Sequence, residues 1–213
     1  MKIKEPKGRR LMLLTAGILL IAVGVVLFKL SLMGNDPSTA MVIAVGANIG
    51  VDYGLVLVAM HCLCFVAQAL WGREMIGAGT FLNWFLIGPM ASSLERWLRL
   101  RWTVPDAFLP RLFIMLLGVL VLSFAAALYQ TADLGIAPYD SLSIMLSKKS
   151  KRTYFWCRML TDAFCVTVAF SLGGVIGLGS LICALGLGPF IALFSRCAAE
   201  PILQSKKNRE ALQ

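Results

Sequence analysis

Eight apolar runs, separated by short polar or glycine- and proline-containing turns, make up most of the 213-residue chain. Several runs have about 20 residues, which is the length an α-helix needs to cross the hydrocarbon core of a bilayer. They are too long and too continuous to be the alternating strands of a membrane β-barrel. The pattern predicts eight helical segments, at residues 11–33, 38–51, 54–71, 76–94, 112–132, 138–147, 154–172 and 175–198.

The second and sixth segments are shorter than the others, and each follows a Gly-x-x-Pro turn. Fourteen helical residues span about 21 Å, whereas the hydrocarbon core is about 30 Å thick. In the first of these turns, Asp36 is placed to cap the helix and Pro37 to occupy its first position. These two segments are therefore short or half helices.

The second half of the chain repeats the order of the first. Gly34 and Pro37 recur as Gly135 and Pro138, and a Gly-Pro pair in the fourth segment recurs in the eighth. Glycine and proline fix backbone geometry, so matched positions indicate matched turns and kinks. We predict an all-α integral membrane protein, a helical bundle of two tandem repeats that each hold three long helices and one short or half helix.

Composition supports this class, because 59% of the residues are hydrophobic and 15% are charged. Soluble domains average about 45–50% and about 25%. The predicted organisation is a cytoplasmic basic N-terminus (1–10), membrane repeat 1 (11–94), a basic linker (95–110), membrane repeat 2 (111–198) and a polar C-terminal tail (199–213). The formal charge of +9 comes from clusters beside apolar runs. Such flanks predict contact with a lipid bilayer and no nucleic-acid partner.

The basic clusters leave two topologies open. If the short segments cross, each half has four crossings, the repeats are parallel, and the linker, residues 148–152 and both termini are cytoplasmic. If the short segments are re-entrant, each half has three crossings and the repeats are inverted. The linker and residues 148–152 would then face the non-cytoplasmic side. Charge favours the first topology and segment length favours the second; we prefer eight crossings.

Ionisable residues within membrane helices are rare and mark functional sites. His61, the single histidine, and Asp162 lie centrally in the third and seventh segments, at equivalent positions of the two repeats. One hypothesis pairs them in a proton-linked polar site, because histidine titrates near neutral pH. The other pairs Asp162 with Arg158, one helical turn earlier, and leaves His61 to bond a neighbouring helix.

Asp140 lies in the first turn of the sixth segment, directly after Tyr139. The helix dipole favours a carboxylate there for structural reasons alone. Alternatively, a short helix lines a cavity and Asp140 contacts a solute or cation, as in many transporters. Thr39 holds the equivalent place in the first half, so such a site would be used once. The predicted substrate-binding residues are Asp140, Tyr139, Asp162, His61 and Arg158.

Catalytic signatures are missing from the sequence. It contains no nucleophile–base–carboxylate set, no metal-ligand spacing and no Walker motif. The six cysteines lie in apolar runs without a C-x-x-C motif, which is typical of free thiols that serve packing. The sequence therefore predicts neither an enzyme nor a metal or other cofactor, and it leaves the oligomeric state open.

The stretch from Leu134 to Ser150 resembles the YczE/YyaS/YitT family of bacterial multi-pass membrane proteins, in its YczE-like branch. The family motif G-x-x-P-[WY]-D is present as Gly135, Pro138, Tyr139 and Asp140. Weaker glycine-rich stretches begin at Gly77 and Gly177. The first repeat departs from the motif, with Ser38 and Thr39 in place of the Tyr-Asp pair. The resemblance implies a multi-pass protein of the bacterial plasma membrane and supplies location more firmly than activity.

The combined features predict a transporter-like protein of the bacterial plasma membrane, with both termini cytoplasmic, that binds or moves a small-molecule solute. The repeat, the short helices and the intramembrane ionisable residues carry this expectation. The alternative is a non-transporting accessory or regulatory membrane protein, in which the surface clusters matter more than the interior. A polar cavity that reaches Asp140, His61 or Asp162 would favour transport.

Overall fold

The computed structural model describes residues 7–34, 36–102, 106–174 and 176–203, which are helical apart from short turns and contain no strand. This confirms the all-α class. Parts of the predicted N-terminus (1–6), linker (103–105) and tail (204–213) lie outside the described residues. The helices are α1 (Lys7–Leu30), α2 (Pro37–Ile49), α3 (Tyr53–Trp71), α4 (Ala78–Arg99), α5 (Phe108–Thr131), α6 (Pro138–Ser150), α7 (Tyr154–Ser171), α8 (Leu178–Phe194) and α9 (Glu200–Leu203).

Four of the described helical stretches are long and apolar enough to cross a membrane: Lys7–Leu30, Gly54–Trp71, Phe108–Thr131 and Leu178–Leu203. The last stretch includes a π-helical turn, Ser195–Ala199, between α8 and α9. Pro89 and Pro189 lie inside α4 and α8, a position that membrane helices tolerate better than soluble ones. Because α4 continues to Arg99, the first part of the predicted basic linker is helical.

Helices α1 and α5 form the closest helix pair and run antiparallel. A Cβ on Gly17 would lie 2.8 Å from the backbone nitrogen of Tyr129, and one on Gly24 would lie 2.9 Å from that of Leu122. Small residues at such contacts let membrane helices approach closely, which strengthens their dispersion attraction. The pair defines the two ends of the bundle. We call the end at which α1 begins the first end and the end at which α1 finishes the second end.

Two ion pairs mark these ends. At the first end, Arg10 of α1 contacts Asp133, just after α5, with an N–O distance of 3.4 Å. At the second end, Lys29 of α1 contacts Glu95 of α4 at 3.3 Å. α4 therefore starts at the first end and finishes at the second.

α6 begins inside the bundle and returns to the first end. In its first turn, the Tyr139 hydroxyl reaches Asp162, midway along α7. In its last turn, the Lys148 ammonium lies 2.9 Å from the Glu74 carboxylate, in the short turn between α3 and α4. This hydrogen bond from Lys148 lowers the pKa of Glu74.

α2 has the corresponding course at the second end. The Asp36 side chain accepts a hydrogen bond of 3.1 Å from the backbone nitrogen of Thr39, and Pro37 occupies the first helical turn, as predicted. In the last turn, the Asn48 side-chain amide donates to the Leu172 carbonyl at 2.7 Å. Leu172 directly follows α7 at the second end, so α2 finishes at the second end, where α1 also finishes.

The structure favours the re-entrant topology over eight crossings. Thirteen residues of α2 and of α6 span about 20 Å, too little for a hydrocarbon core of about 30 Å. Six helices, α1, α3, α4, α5, α7 and α8, connect the two ends. With re-entrant short segments, residues 148–152 were expected on the side of the membrane opposite the N-terminus. That expectation is wrong, because α5 returns the chain to the first end, where α1 begins, before α6 begins.

Each half of the chain packs its short helix against the other half, α2 on α7 and α6 on α3. Two backbone hydrogen bonds have the same exchanged pattern. The Gly79 nitrogen donates to the Leu134 carbonyl at 2.8 Å, and the Gly179 nitrogen donates to the Met33 carbonyl at 2.9 Å. Inverted repeats would make such reciprocal contacts, although the internal repeat itself stays a prediction.

The two halves differ in one respect. In the second half α7 and α8 pack together, and a Cβ on Gly188 would lie 3.2 Å from the Phe155 ring. In the first half a Cβ on Gly88 would meet nothing within 4 Å. There α3 and α4 meet through side-chain rings, with Trp84 5.9 Å from His61 between ring centroids. α3 and α4 therefore lie farther apart than α7 and α8 and contact each other through aromatic side chains.

Cysteine labelling from each side of the membrane tests this topology. In a cysteine-free background, we expect Arg73→Cys and Lys149→Cys to react with a membrane-impermeant maleimide from the same side. We expect Arg101→Cys, beyond the end of α4, to react from the other side. Intact spheroplasts and inside-out vesicles provide the two orientations. Labelling of Arg73→Cys and Lys149→Cys from opposite sides would instead establish eight crossings.

Candidate functional site

A buried ionic cluster joins α6 to α7. The Nε of Arg158 donates to Oδ2 of Asp162 at 3.1 Å, and its Nη1 donates to Oδ1 of Asp140. Asp162 is 0% exposed and Arg158 is 7% exposed. The predicted pairing of Asp162 with Arg158, one turn apart on the same helix, is confirmed. Asp140, which comes from a different helix, makes the arginine a bridge between two carboxylates.

Two tyrosine hydroxyl groups complete the cluster. Tyr129 of α5 donates to Oδ2 of Asp140, and Tyr139 of α6 donates to Oδ1 of Asp162 at 2.7 Å. All four carboxylate oxygens thus accept a hydrogen bond. The guanidinium carbon of Arg158 also lies 5.1 Å from the centroid of the Tyr139 ring, within the range of a cation–π interaction.

The start of α6 places Asp140 and Tyr139 in this cluster. Pro138 fits the first turn, since the missing N–H would have no partner there. Ala137 precedes it without a side-chain cap, so the first-turn N–H groups rely on other partners. A carboxylate in this turn also interacts favourably with the helix dipole. The local sequence therefore both starts the half-helix and presents Asp140 at its buried end.

The cluster contains more negative than positive formal charges. Asp140 and Asp162 are two carboxylates, whereas Arg158 supplies a single guanidinium. Taking charges out of water is costly unless they are paired, and one negative charge has no positive partner within the cluster. The four hydrogen bonds reduce this cost but add no charge.

His61 does not pair with Asp162. Its ring contacts Trp84 of α4, and no side-chain hydrogen bond from His61 is found among the described residues. Asp162 already bonds Arg158 and Tyr139, and α7 packs against α2 and α6 rather than closely against α3. The paired His61–Asp162 hypothesis is therefore not realised. His61 still lies close enough to Asp140 and Asp36 for both carboxylates to act on it electrostatically.

Tyr129 is the member of the cluster that the sequence did not predict. It is completely buried near the end of an apolar run, where an aromatic side chain usually serves packing or the membrane interface. Its separation of 11 positions from Asp140 does not correspond to one helix face. The only signal was the position of a hydroxyl-bearing residue in an otherwise apolar segment.

Elsewhere in the described part of the chain, a comparable ionic cluster is not found. A groove of about 500 Å³ between α2 and α3 is lined by apolar side chains and includes none of the predicted site residues. Within the described parts of the chain, no three His, Cys, Asp or Glu residues are grouped so that they could hold a metal ion.

Two conservative variants separate a bonded hydroxyl from an unbonded one. We expect Tyr139→Phe to lower the free energy of unfolding by about 1.5–3 kcal/mol, because its partner Asp162 is charged and buried. Tyr154→Phe removes a buried hydroxyl that has no hydrogen-bond partner. We expect it to change stability by less than about 0.5 kcal/mol. Detergent-induced unfolding followed by circular dichroism gives both values, and equal losses would contradict the assigned hydrogen bond.

The fold and the buried cluster together define a helical membrane protein with an intramembrane ionic site. The chain belongs to a family of unknown function (DUF6198), whose model matches residues 8–196.

Three relatives share most of their length with this chain. An uncharacterized protein of Haemophilus influenzae is 27% identical over 187 residues, 84% of this chain and 83% of that protein. The uncharacterized membrane protein YczE of Bacillus subtilis is 25% identical over 176 residues, 81% and 79% of the two chains. The uncharacterized protein YyaS of the same species is 24% identical over 168 residues, 78% and 82%. No solved structure matches. The resemblance to YczE and YyaS is thereby confirmed.

Proposed function

We propose that this protein is a transporter-like protein of the bacterial plasma membrane that binds or moves a small solute. The buried Asp140–Arg158–Asp162 cluster at the start of half-helix α6 carries the proposal. Ionisable groups at membrane depth are costly and usually serve transport or relay. Half-helices border the binding sites of many transporters, where their termini face the solute.

The proposed orientation puts the first end of the bundle in the cytoplasm. Both described termini lie there, because α1 begins at this end and α9 follows α8 back to it. Positively charged loops favour the cytoplasmic side, and the first end is the more basic one. Basic residues at the first end are Lys7, Arg9, Arg10, Arg73, Lys148, Lys149, Lys151, Arg152 and Arg196. Those at the second end are Lys29, Arg96, Arg99, Arg101 and Arg111.

The difference between the halves supports movement of a solute rather than binding alone. We take the two halves to be inverted repeats, which exchange conformations during alternating access. Here α7 and α8 pack closely at Gly188, whereas α3 and α4 are farther apart and meet through aromatic side chains. His61 is one of these side chains and lies within electrostatic reach of Asp140. In the exchanged state, α7 and α8 would part and α3 and α4 would close.

The proposal includes no catalysed reaction, no cofactor and no nucleic-acid partner; the bilayer is the partner. Solute uptake and efflux profiles of a deletion strain provide the test, after complementation with wild type, Asp140→Asn or Asp133→Asn. Asp133 is a matched control, since its carboxylate belongs to the exposed ion pair with Arg10. We expect the deletion and Asp140→Asn to change the accumulation of the same solute, and Asp133→Asn to restore it. Full restoration by Asp140→Asn, at equal protein level, would instead favour an accessory or regulatory role.

A further inference from the structure

The ionic cluster lacks one positive charge, and its surroundings do not supply it. The titratable and polar side chains that face the cluster come from five neighbouring elements. They are Asp36 at the start of α2, His61 of α3, Tyr129 and Gln130 of α5, Tyr154 and Cys165 of α7, and Cys183 of α8. None of these is a lysine or an arginine. The Asp36 carboxylate, which accepts hydrogen bonds from Ser38 and Thr39, adds a further negative charge that no described lysine or arginine pairs.

Asp140 is the charged member that an incoming molecule would reach. Its side chain is 18% exposed, compared with 9% for Arg158 and 0% for Asp162. Asp162 is enclosed by Arg158 and Tyr139. A ligand that approaches the cluster therefore meets the carboxylate of Asp140 before any other charge.

Two buried polar atoms near Asp140 have no hydrogen-bond partner: the hydroxyl of Tyr154 and the Nε2 of Gln130. Tyr154 lies one turn before Arg158 on α7, and both Arg158 and Asp140 act on it electrostatically. Gln130 follows Tyr129 in α5. Unsatisfied buried polar atoms are uncommon in native structures and indicate a missing partner. The two groups lie next to each other, beside Tyr129 and the ionic cluster, without a hydrogen bond of normal geometry between them.

Three tyrosine rings, Tyr129, Tyr139 and Tyr154, surround this region. Aromatic faces attract cations, and the guanidinium of Arg158 already makes such a contact with Tyr139. A hydroxyl group both donates and accepts hydrogen bonds, so Tyr154 can accept an N–H from a ligand. The Nε2 of Gln130 can donate to an acceptor on the same ligand.

From this geometry we propose that the solute is a small organic cation of the ammonium or guanidinium type, bound by the carboxylate of Asp140 and the hydroxyl of Tyr154. This inference rests on the proposed function and narrows it to a class of solute. The cation neutralises the excess negative charge of the cluster, and its N–H groups bond Asp140 and Tyr154. An oxygen acceptor next to the cationic group would engage Gln130.

Binding to the full-length protein in lipid nanodiscs tests the inference. The probes are methylammonium chloride and guanidinium chloride at millimolar levels, with sodium chloride at equal ionic strength as reference and glycerol and sodium acetate as neutral and anionic probes. We expect a saturable rise in melting temperature with at least one of the two cations. Asp140→Asn should weaken that binding roughly tenfold or more, because a charged partner is lost. Asp133→Asn should bind as wild type does.

Tyr154→Phe keeps the test informative if Asp140→Asn fails to fold. Its hydroxyl has no partner in the protein, so we expect the fold to persist while cation binding weakens several-fold. A rise in melting temperature with acetate or glycerol that Asp140→Asn abolishes would contradict the inference that the solute is an organic cation. It would leave the proposed function unaffected. A pH-dependent melting temperature that Asp140→Asn abolishes, without a response to either cation, would assign the missing charge to a proton. The absence of any response to probes or pH, together with unchanged solute accumulation in the deletion strain, would overturn the proposed function as well.

Discussion

Replacement of Arg158 by methionine is expected to lower the free energy of unfolding by about 3–5 kcal/mol. The variant keeps an unbranched side chain of similar length but removes the one positive charge of the cluster. Asp140 and Asp162 would then be two carboxylates in a largely buried site, each bonded only to a tyrosine hydroxyl. Hydrogen bonds do not offset the repulsion of two like charges. Detergent-induced unfolding followed by circular dichroism measures the loss.

The control for this variant is Arg99→Met. Arg99 pairs with Glu95 at 3.0 Å near the end of α4 and is largely exposed, so its loss should change stability by less than about 1 kcal/mol. Removing negative charge should reverse the effect at the cluster. We expect Arg158→Met with Asp162→Asn to regain part of the stability, and the further change Asp140→Asn to regain more. If neither combination is more stable than Arg158→Met alone, packing of the arginine stem, not charge, explains the loss.

Much of the fold could be predicted because it depends on local pattern. The eight apolar runs correspond to helices α1 to α8, since a bilayer requires each crossing segment to satisfy its own backbone. The cap of α2 followed from Asp36 and Pro37, whose roles depend on adjacent positions only. The ion pair of Arg158 with Asp162 likewise followed from a spacing of four residues on one helix. In each case the interacting groups lie within one turn of the chain.

The course of α6 could not be read from the sequence, because it depends on distant contacts. The basic residues after α6 suggested a separate cytoplasmic loop reached by a crossing. In the structure they lie at the first end, where Lys148 contacts Glu74, 74 positions away in the chain. The positive-inside pattern depends on charges near helix ends. Both topologies put residues 148–152 near a helix end, so these charges do not distinguish the two topologies. Helix length was the better guide here, since the bilayer sets a physical minimum.

The candidate site was predicted in part for the same reason. Asp140, Tyr139, Asp162 and Arg158 meet in one cluster, and each lies where helix geometry alone made it conspicuous. The pairing of His61 with Asp162 assumed that equivalent positions of two repeats converge. In the structure α2 and α6 each pack against both α3 and α7, which are not themselves in close contact, so His61 and Asp162 stay apart. Tyr129 joins the cluster through its hydroxyl, which reaches Asp140 across the turn between α5 and α6, and no local pattern encodes that contact.

Replacement of Gly135 by alanine is expected to lower the free energy of unfolding by about 2–5 kcal/mol. Gly135 has φ +119°, a backbone conformation that costs a non-glycine residue about 1–2 kcal/mol. A Cβ there would also lie 2.7 Å from the backbone nitrogen of Gly77 and 2.8 Å from that of Thr80. These are backbone atoms at the start of α4, so relief would require moving the helix, and overpacking of this kind costs about 1–3 kcal/mol.

The matched control is Gly88→Ala, inside α4. Apart from its chain neighbours, a Cβ at Gly88 meets nothing within 4 Å. Alanine is a better helix former than glycine by about 1 kcal/mol, but its Cβ would crowd the ring of Pro89. Because these two effects oppose each other, we expect Gly88→Ala to change stability by less than about 1 kcal/mol in the same unfolding assay. A loss for Gly135→Ala no larger than that of Gly88→Ala would mean that the turn before α6 relaxes freely. The buried start of α6, and with it the position of Asp140, would then not depend on the close contact between Gly135 and Gly77.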